Sequence, residues 1–352
     1  MTPDRRIQDL LGIELPIVQA PMAGAAFGDM AAAVSEAGGL GSLACAMLSP
    51  DRIRSEVAAI RERTAKPINL NFFCHAPPAP DPEREAAWRR RLAPYHRERG
   101  LDPDTPLPAS TRALFDEPAC AAVEDLRPAV VSFHFGLPSP PLVARVKATG
   151  AKVVSSATTV AEAQWLEAHG CDAIIAQGIE AGGHRGFFLT DDLSTQTGTM
   201  ALVPQVADAV DVPVIAAGGV ADARGIAAAF ALGASAVQIG TAYLFCPEAR
   251  ISPVHQAALR RAGDHDTALT NVFTGRPARG IANRAMRELG PIAADAPAFP
   301  LAVVPLAPLR AGAEAAGLDD FTPLWAGQAV RLGRDEPAAD LTRRLAHEAR
   351  IA

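Results

Sequence analysis

The chain of 352 residues carries 33 lysines and arginines against 39 aspartates and glutamates, a formal charge of −6, so it lacks the basic footprint that nucleic-acid binding demands. With 49% hydrophobic and 20% charged residues it is neither a disordered segment nor a solvated coiled coil, and no run of about 18 apolar residues would span a membrane. A compact cytoplasmic protein is expected: Met1 to Arg6 are polar rather than signal-like, and five cysteines without Cys-x-x-Cys spacing (Cys45, Cys74, Cys120, Cys171, Cys246) read as reduced thiols.

Short apolar runs alternate with helical stretches along the first 245 residues. They are Pro16 to Met22, Gly39 to Cys45, Ile68 to Phe73, Ala129 to Phe135, Lys152 to Thr158, Asp172 to Gln177, Val212 to Ala217 and Ala236 to Phe245. Near-continuous apolar runs predict strands buried on both faces, the habit of parallel sheets covered by helices. Between them, Ser49-Pro50 pairs an N-cap with proline at the first helical position, and Thr159-Val160-Ala161-Glu162 has capping-box spacing. Gly38, Gly150, Gly170 and Gly233 fall where a left-handed residue would end a helix. Repeated strand-helix units predict an α/β fold, a closed (β/α)8 TIM barrel over residues 1–246. An open doubly wound sheet is disfavoured because no Gly-x-Gly-x-x-Gly follows the first strand. Residues 76–108, loaded with proline and arginine, read as an insertion after the third strand: a lid, a contact between copies, or simply a solvated helix. Beyond residue 246 the repeat stops. Residues 247–323 read as a smaller, mostly helical cap that shapes the substrate pocket, and 324–352 as a segment packing back on the barrel.

In such a barrel, functional groups sit just past the C-terminal ends of the strands. Asn69 and Asn71 share one face of the third strand, and buried amides need polar partners, which a ligand's polar ring system would supply. Ser132 and His134 share a face opposite Phe133 and Phe135, which turns His134 toward the barrel mouth. The sixth strand runs into Gln177-Gly178-Ile179-Glu180-Ala181-Gly182-Gly183-His184-Arg185-Gly186, a flexible glycine-rich loop. An imidazole there, titrating near neutrality, is a candidate general base, or else merely a hydrogen-bonding group for ligand or loop. Gly218-Gly219 after the seventh strand and Gln238-Ile239-Gly240-Thr241 in the eighth are phosphate-site material: bare amides approach an anion and Thr241 adds a hydroxyl donor. A phosphate-bearing ligand is expected. The other histidines show no metal-ligand spacing, so no metal is assigned, and Ser42 and Ser132 lack the flanking turn of a nucleophile elbow.

Several segments resemble nitronate monooxygenase, formerly called 2-nitropropane dioxygenase, in its main bacterial and fungal branch. They are Pro16 to Met22, Asn69-Leu70-Asn71-Phe72, His134-Phe135-Gly136, Glu180 to Gly186, Ala217-Gly218-Gly219, Gln238 to Thr241, Phe273 to Gly280 and Leu324 to Gln328, in the family's order over nearly the whole chain. The resemblance implies a barrel holding FMN without a covalent bond. It implies flavin contacts from Met22, Asn71, Gln177, Gly182, Gly218 and Gly219, and from Gln238, Ile239, Gly240 and Thr241, with His184 and His134 as active-site histidines. The implied reaction converts an alkyl nitronate, or a nitroalkane that His184 has deprotonated, into a carbonyl compound and nitrite with O2. Where the main branch carries tyrosines and a lysine around its pocket, this sequence places Phe299, Val303 and Ala307, which is expected to shift preference toward bulkier or more apolar substrates. The fifth strand, Val153 to Thr158, lacks the histidine of quinone-reducing relatives. NAD(P)H-dependent reduction of quinones or enoyl thioesters, and flavin binding without turnover, stand as alternatives. The implied partners are a small substrate and O2, with room for a homodimer.

Overall fold

The computed structural model describes residues 4–106 and 113–351; Met1 to Pro3 of the polar N-terminus and positions 107 and 108 of the expected insertion lie outside them. In chain order the strands are β1 (Ile17–Gln19), β2 (Gly41–Ala44), β3 (Ile68–Phe73), β4 (Val130–His134), β5 (Lys152–Ala157), β6 (Ala173–Gln177), β7 (Gly183–His184), β8 (Val214–Ala217), β9 (Ala236–Ile239), β10 (Thr267–Thr270) and β11 (Ala278–Ile281). Eight of them pair in parallel in the order β1-β9-β8-β6-β5-β4-β3-β2. The two edges meet where Val18 bridges Leu40: Gln19 N donates to Leu40 O at 2.9 Å and Leu40 N to Ile17 O at 2.9 Å. The sheet therefore closes as a (β/α)8 barrel.

Local signals behave as their chemistry requires. Ser49 accepts from Arg52 N at 3.3 Å at the start of the helix Pro50–Arg61. Gly38, Gly150, Gly170 and Gly233 take φ of +96°, +93°, +96° and +97° just past helix ends, a conformation that only glycine adopts freely. The short helix Arg6–Leu11 plugs the N-terminal mouth, packing Ile7 and Leu11 against Val18, Leu40, Val130 and Val154. The helix Ala338–Ala349 returns to the barrel and buries Leu341 and Leu345 against the helices Gly28–Glu36 and Ala223–Ala231. Among the described residues no helix is long and apolar enough to cross a membrane.

Three features differ from expectation. The eighth barrel strand stops at Ile239, because Gly240 (φ −112°, ψ −74°) turns the chain into the 3-10 segment Thr241–Phe245. The chain beyond residue 246 is not wholly helical: β10 and β11 form an antiparallel hairpin, and β11 also pairs with β7. The helix Pro82–Glu98 is no bare solvated face. Its Trp88 and Leu92 are fully buried in a second core with Val272, Phe273, Met286 and Leu309, and Trp88 Nε1 donates to Ala302 O at 3.3 Å. Its arginines stay nearer solvent, where Arg91 pairs with Asp295 at 2.5 Å and Arg99 with Asp320 at 2.7 Å.

Candidate active site

The C-terminal ends of the barrel strands open on a cavity of about 310 Å³, a size suited to a small molecule. His134, His184, Asn71 and Gln177 line one part of it; Met22, Gly182, Gly218 and Gly219 line another. Gln238, Gly240 and Thr241 line it as well. Ile239 is not among the lining residues. Alternation along β9 turns Gln238 inward, and the Ile239 side chain is fully buried in the core between barrel and helices.

His184 sits in β7 rather than on a free loop. Its backbone pairs with Ala278 of β11, and Gly183 with Arg279, so a strand from far downstream in the chain fixes its position. The carbonyl of His184 accepts from Gln177 Nε2 at 3.0 Å and from His134 Nε2 at 3.2 Å. Gln177 Oε1 in turn accepts from Gly186 N at 2.8 Å. Both polar atoms of the Gln177 amide thus serve the segment that carries His184. A Cβ at residue 186 would lie 2.8 Å from both His134 Cε1 and Ser156 Oγ, so only glycine lets the chain pass. The imidazole Nε2 of His184 is 2.9 Å from Thr274 Oγ1, and that hydroxyl donates to the Arg276 carbonyl at 3.3 Å. A hydroxyl has one proton to give, so Thr274 accepts from His184 Nε2–H. Phe299 and Trp325 stand beside the ring, at centroid distances of 5.2 and 5.5 Å.

His134 plays a different part. Its Nδ1 lies 2.6 Å from Ser156 Oγ, and since Nε2–H donates to a carbonyl, Nδ1 must accept the Ser156 proton. Burial, helped by the Arg276 cation, pushes its pKa down to about 3. His134 is a neutral pillar under the His184 backbone.

The glycine-rich end sorts its glycines by reason. Gly218 and Gly219 take φ of +106° and +72°, where a side chain would be strained. Gly182 is required by protein packing instead: a Cβ there would lie 2.6 Å from Gly327 N. Thr241 Oγ1 accepts from Gly327 N at 2.9 Å, keeping its own proton to donate. Gln238 Oε1 is buried with no hydrogen-bond partner. Asn71 Nδ2 donates to Ser132 Oγ at 2.9 Å. Asn69 Nδ2 is met by the protein itself, through Ser42 Oγ at 3.0 Å and Ser132 Oγ at 2.9 Å, while its Oδ1 is buried without a hydrogen-bond partner among the described residues.

Phe299 packs edge-on against His184 and His75 within a cluster that includes Phe73 and Phe135. Val303 and Ala307 do not join it: Val303 is half-buried, Ala307 is exposed on the helix Val303–Ala315, and neither lines the cavity. Phe299 is not among the lining residues either; of the three it alone packs against His184.

Other contributors carried no sequence signal of function. Glu162, fully buried, accepts from Thr158 N at 2.7 Å, Phe188 N at 2.6 Å and Leu189 N at 3.2 Å, where the capping box would have returned it to Thr159. Arg185 is buried on the carbonyls of Gly178 (2.6 Å) and Gln177 (2.7 Å), and burial lowers its pKa to about 10. His255 lines the outer cavity and donates to Trp325 O at 3.2 Å; burial lowers its pKa to about 4. Burial raises the thiols of Cys45, Cys171 and Cys246, leaving none activated as a nucleophile.

The family model described as nitronate monooxygenase matches residues 4–348. The chain is 44% identical over 347 residues to a nitronate monooxygenase of Pseudomonas aeruginosa, covering 98% of this chain and 99% of that one. Among solved structures it is similar to a nitroalkane oxidase from Streptomyces ansochromogenes, with a TM-score of 0.89 and 39% identity over 98% of both chains. FabK from Thermotoga maritima superposes with a TM-score of 0.72 and 28% identity, covering 99% of this chain and 96% of that one.

Proposed function

The chain belongs to the nitronate monooxygenase family, an oxidoreductase family, and from that premise we propose that it oxidises small alkyl nitronates with O2 to carbonyl compounds and nitrite. Neutral nitroalkanes enter the same reaction after losing a proton to His184. The observation that carries this reading is His184: its carbonyl is held from two sides and its imidazole is anchored at Nε2, at the aromatic end of the cavity.

The cavity fits FMN. Gln238 Oε1 is a buried acceptor in want of an N–H, the left-handed Gly218-Gly219 pair keeps side chains out of a cradle for an anionic tail, and Thr241 has a hydroxyl proton to give. Asn71 and Met22 would complete the holding set. When bound, FMN supplies the electron-accepting chemistry that no side chain here can perform.

The chain's own residues do the rest. With Nε2–H committed to Thr274, the proton-accepting nitrogen of neutral His184 is Nδ1, which takes the α-proton of a nitroalkane. A preformed nitronate needs no such transfer and is oriented by the protonated imidazole. Neutral His134 neither gives nor takes a proton near neutrality; it fixes the backbone. Phe73 lines the cavity with Phe135 and Phe299 packed against it, and this apolar end excludes water and favours an alkyl group.

The test is direct. Purified protein should be yellow and should release nitrite from propyl-2-nitronate while consuming O2. His184→Asn should keep its flavin and lose turnover of a neutral nitroalkane by about 100-fold or more. Colourless protein that takes up no added FMN overturns the reading. Bleaching by NADH with quinone turnover, and no nitrite, would establish the reductase alternative that the likeness to FabK keeps open.

A further inference from the structure

Two features beside the site are not used by that chemistry. Phe135 ends its strand segment at φ +71°, a left-handed conformation that bulky residues rarely adopt, and so leaves the alternation that would have sent its ring outward. Its ring carries Arg276, whose guanidinium carbon lies 4.2 Å from the Phe135 centroid and 4.9 Å from that of Phe187.

Among the described residues no carboxylate pairs directly with Arg276. Its Nη2 donates to a carbonyl, Phe187 O, and its Nε is buried with no partner. The carboxylates that act on it do so only at a distance, Glu162 and Asp191. Glu162 is already engaged by the backbone N–H groups of Thr158, Phe188 and Leu189. The neighbouring Arg185 and Arg279 are likewise held by carbonyls, Gly178 O and Ile179 O among them, with Glu180 acting on both from a distance. A desolvated charge with no directly paired carboxylate is costly, and an anion received nearby would offset that cost. The field reaches the site: Arg276 is one of the causes that hold His134 neutral. The Phe135 ring is 6.1 Å from that of His184, so the guanidinium sits near the reaction space without lining the cavity.

We propose that Arg276, carried on the ring of left-handed Phe135, is the specificity-determining charge that makes the His184 end of the cavity select a planar anion over its neutral counterpart. The inference rests on the nitronate reading of the site and names the residue responsible for the preference. Arg276 touches no reacting atom; it acts through space across the Phe135 ring.

Isobutyrate and isobutyramide test it, being an anion and a neutral compound of one shape, close to that of propyl-2-nitronate. Their dissociation constants are measured by perturbation of the flavin spectrum in flavin-loaded wild type and in Arg276→Lys, Arg276→Met and Arg276→Gln. The wild type should favour isobutyrate. The Met and Gln variants should lose about tenfold of that preference, the effect of one unit charge roughly 10 Å away at an effective dielectric of about 20, and Lys should retain most of it. In turnover, the same loss should fall on KM for the nitronate more than on kcat. A wild type that binds both compounds equally overturns the proposal without any variant having to fold. So does a Met or Gln variant that keeps its flavin and the wild-type ratio. Anion preference without nitronate turnover would sink the functional reading alone, whereas nitronate turnover without anion preference would sink this inference alone.

Discussion

Replacing Gln177 by leucine, nearly its isostere, removes two bonds and little volume. The Nε2 donor to His184 O (3.0 Å) disappears, and so does the Oε1 acceptor of Gly186 N (2.8 Å). The His184 carbonyl keeps His134 Nε2 at 3.2 Å, so the group left stranded is the buried Gly186 N–H. An orphaned buried donor costs about 1–3 kcal/mol and a lost neutral hydrogen bond about 1 kcal/mol, which together predict a loss of about 2–4 kcal/mol. For a chain of this size that lowers Tm by roughly 3–5 °C. Catalysis should suffer more, because the freed segment positions the His184 imidazole: kcat/KM for a nitroalkane should fall by up to about 100-fold. Flavin content should hold within about twofold, since both amide atoms act on the protein. Thermal melts, nitrite release and the flavin-to-protein absorbance ratio measure the three quantities. A variant that sheds flavin first while keeping the turnover of its loaded fraction would refute this reasoning and assign the Gln177 amide to the cofactor.

Other substitutions probe separate joints. Gly182→Ala places a Cβ 2.6 Å from Gly327 N and 2.7 Å from Ala326 C, backbone atoms that cannot swing aside, and should cost about 1–3 kcal/mol; an unchanged Tm would refute the packing explanation. Thr274→Val should lower kcat/KM for a neutral nitroalkane about tenfold and alter its pH profile, with Thr274→Ser restoring both; equal Val and Ser enzymes would disprove the tautomer assignment. Trp88→Ala should cost about 3–5 kcal/mol in denaturant unfolding, and a loss below about 1 kcal/mol would return the helix Pro82–Glu98 to the status of a surface excursion. The histidines His134 (about 3) and His255 (about 4) bind protons less readily folded than unfolded. The unfolded chain therefore takes up protons first, so stability is full above about pH 6.5 and falls toward pH 4, with a slope of up to about 1.4 kcal/mol per pH unit for each histidine. Melts at pH 5 and 7.5 should show the drop, and His255→Gln should flatten it.

The barrel was legible because its signal is local. A strand buried on both faces reads as a continuous apolar run, and β6 and β8 lie inside the runs that announce them. Buried polar groups have no such signature. In the sequence Arg185, Arg279 and Glu162 look like any solvated charges, and their burial depends on acceptors or donors brought in by the fold, as when Arg279 Nε donates to Ile179 O one hundred residues away. Trp88 and Ala302 meet across 214 residues, which no periodicity can report. Glycine is ambiguous for the same reason: Gly182 and Gly219 read alike as bare amides, yet one abuts the Gly327 backbone and the other takes φ +72°. Strand alternation alone turns the Ile239 side chain away from that of Gln238.

His184 shows how the two kinds of information combine. Its position after β6 and the glycines around it mark it from sequence alone, but those glycines argue for a mobile residue, and a mobile imidazole makes a poor base. What immobilises it comes from the far side of the chain. β11 pairs with its backbone, and the turn joining β10 to β11 contributes Thr274 for its Nε2, with Arg276 stacked on the neighbouring Phe135. On the proposed reading of His184 the hairpin therefore positions the base rather than merely covering the site. A lesion that loosens the hairpin without touching the cavity should lower kcat while leaving flavin affinity intact, because the glycine cradle belongs to β8 and β9 and does not depend on β10 or β11.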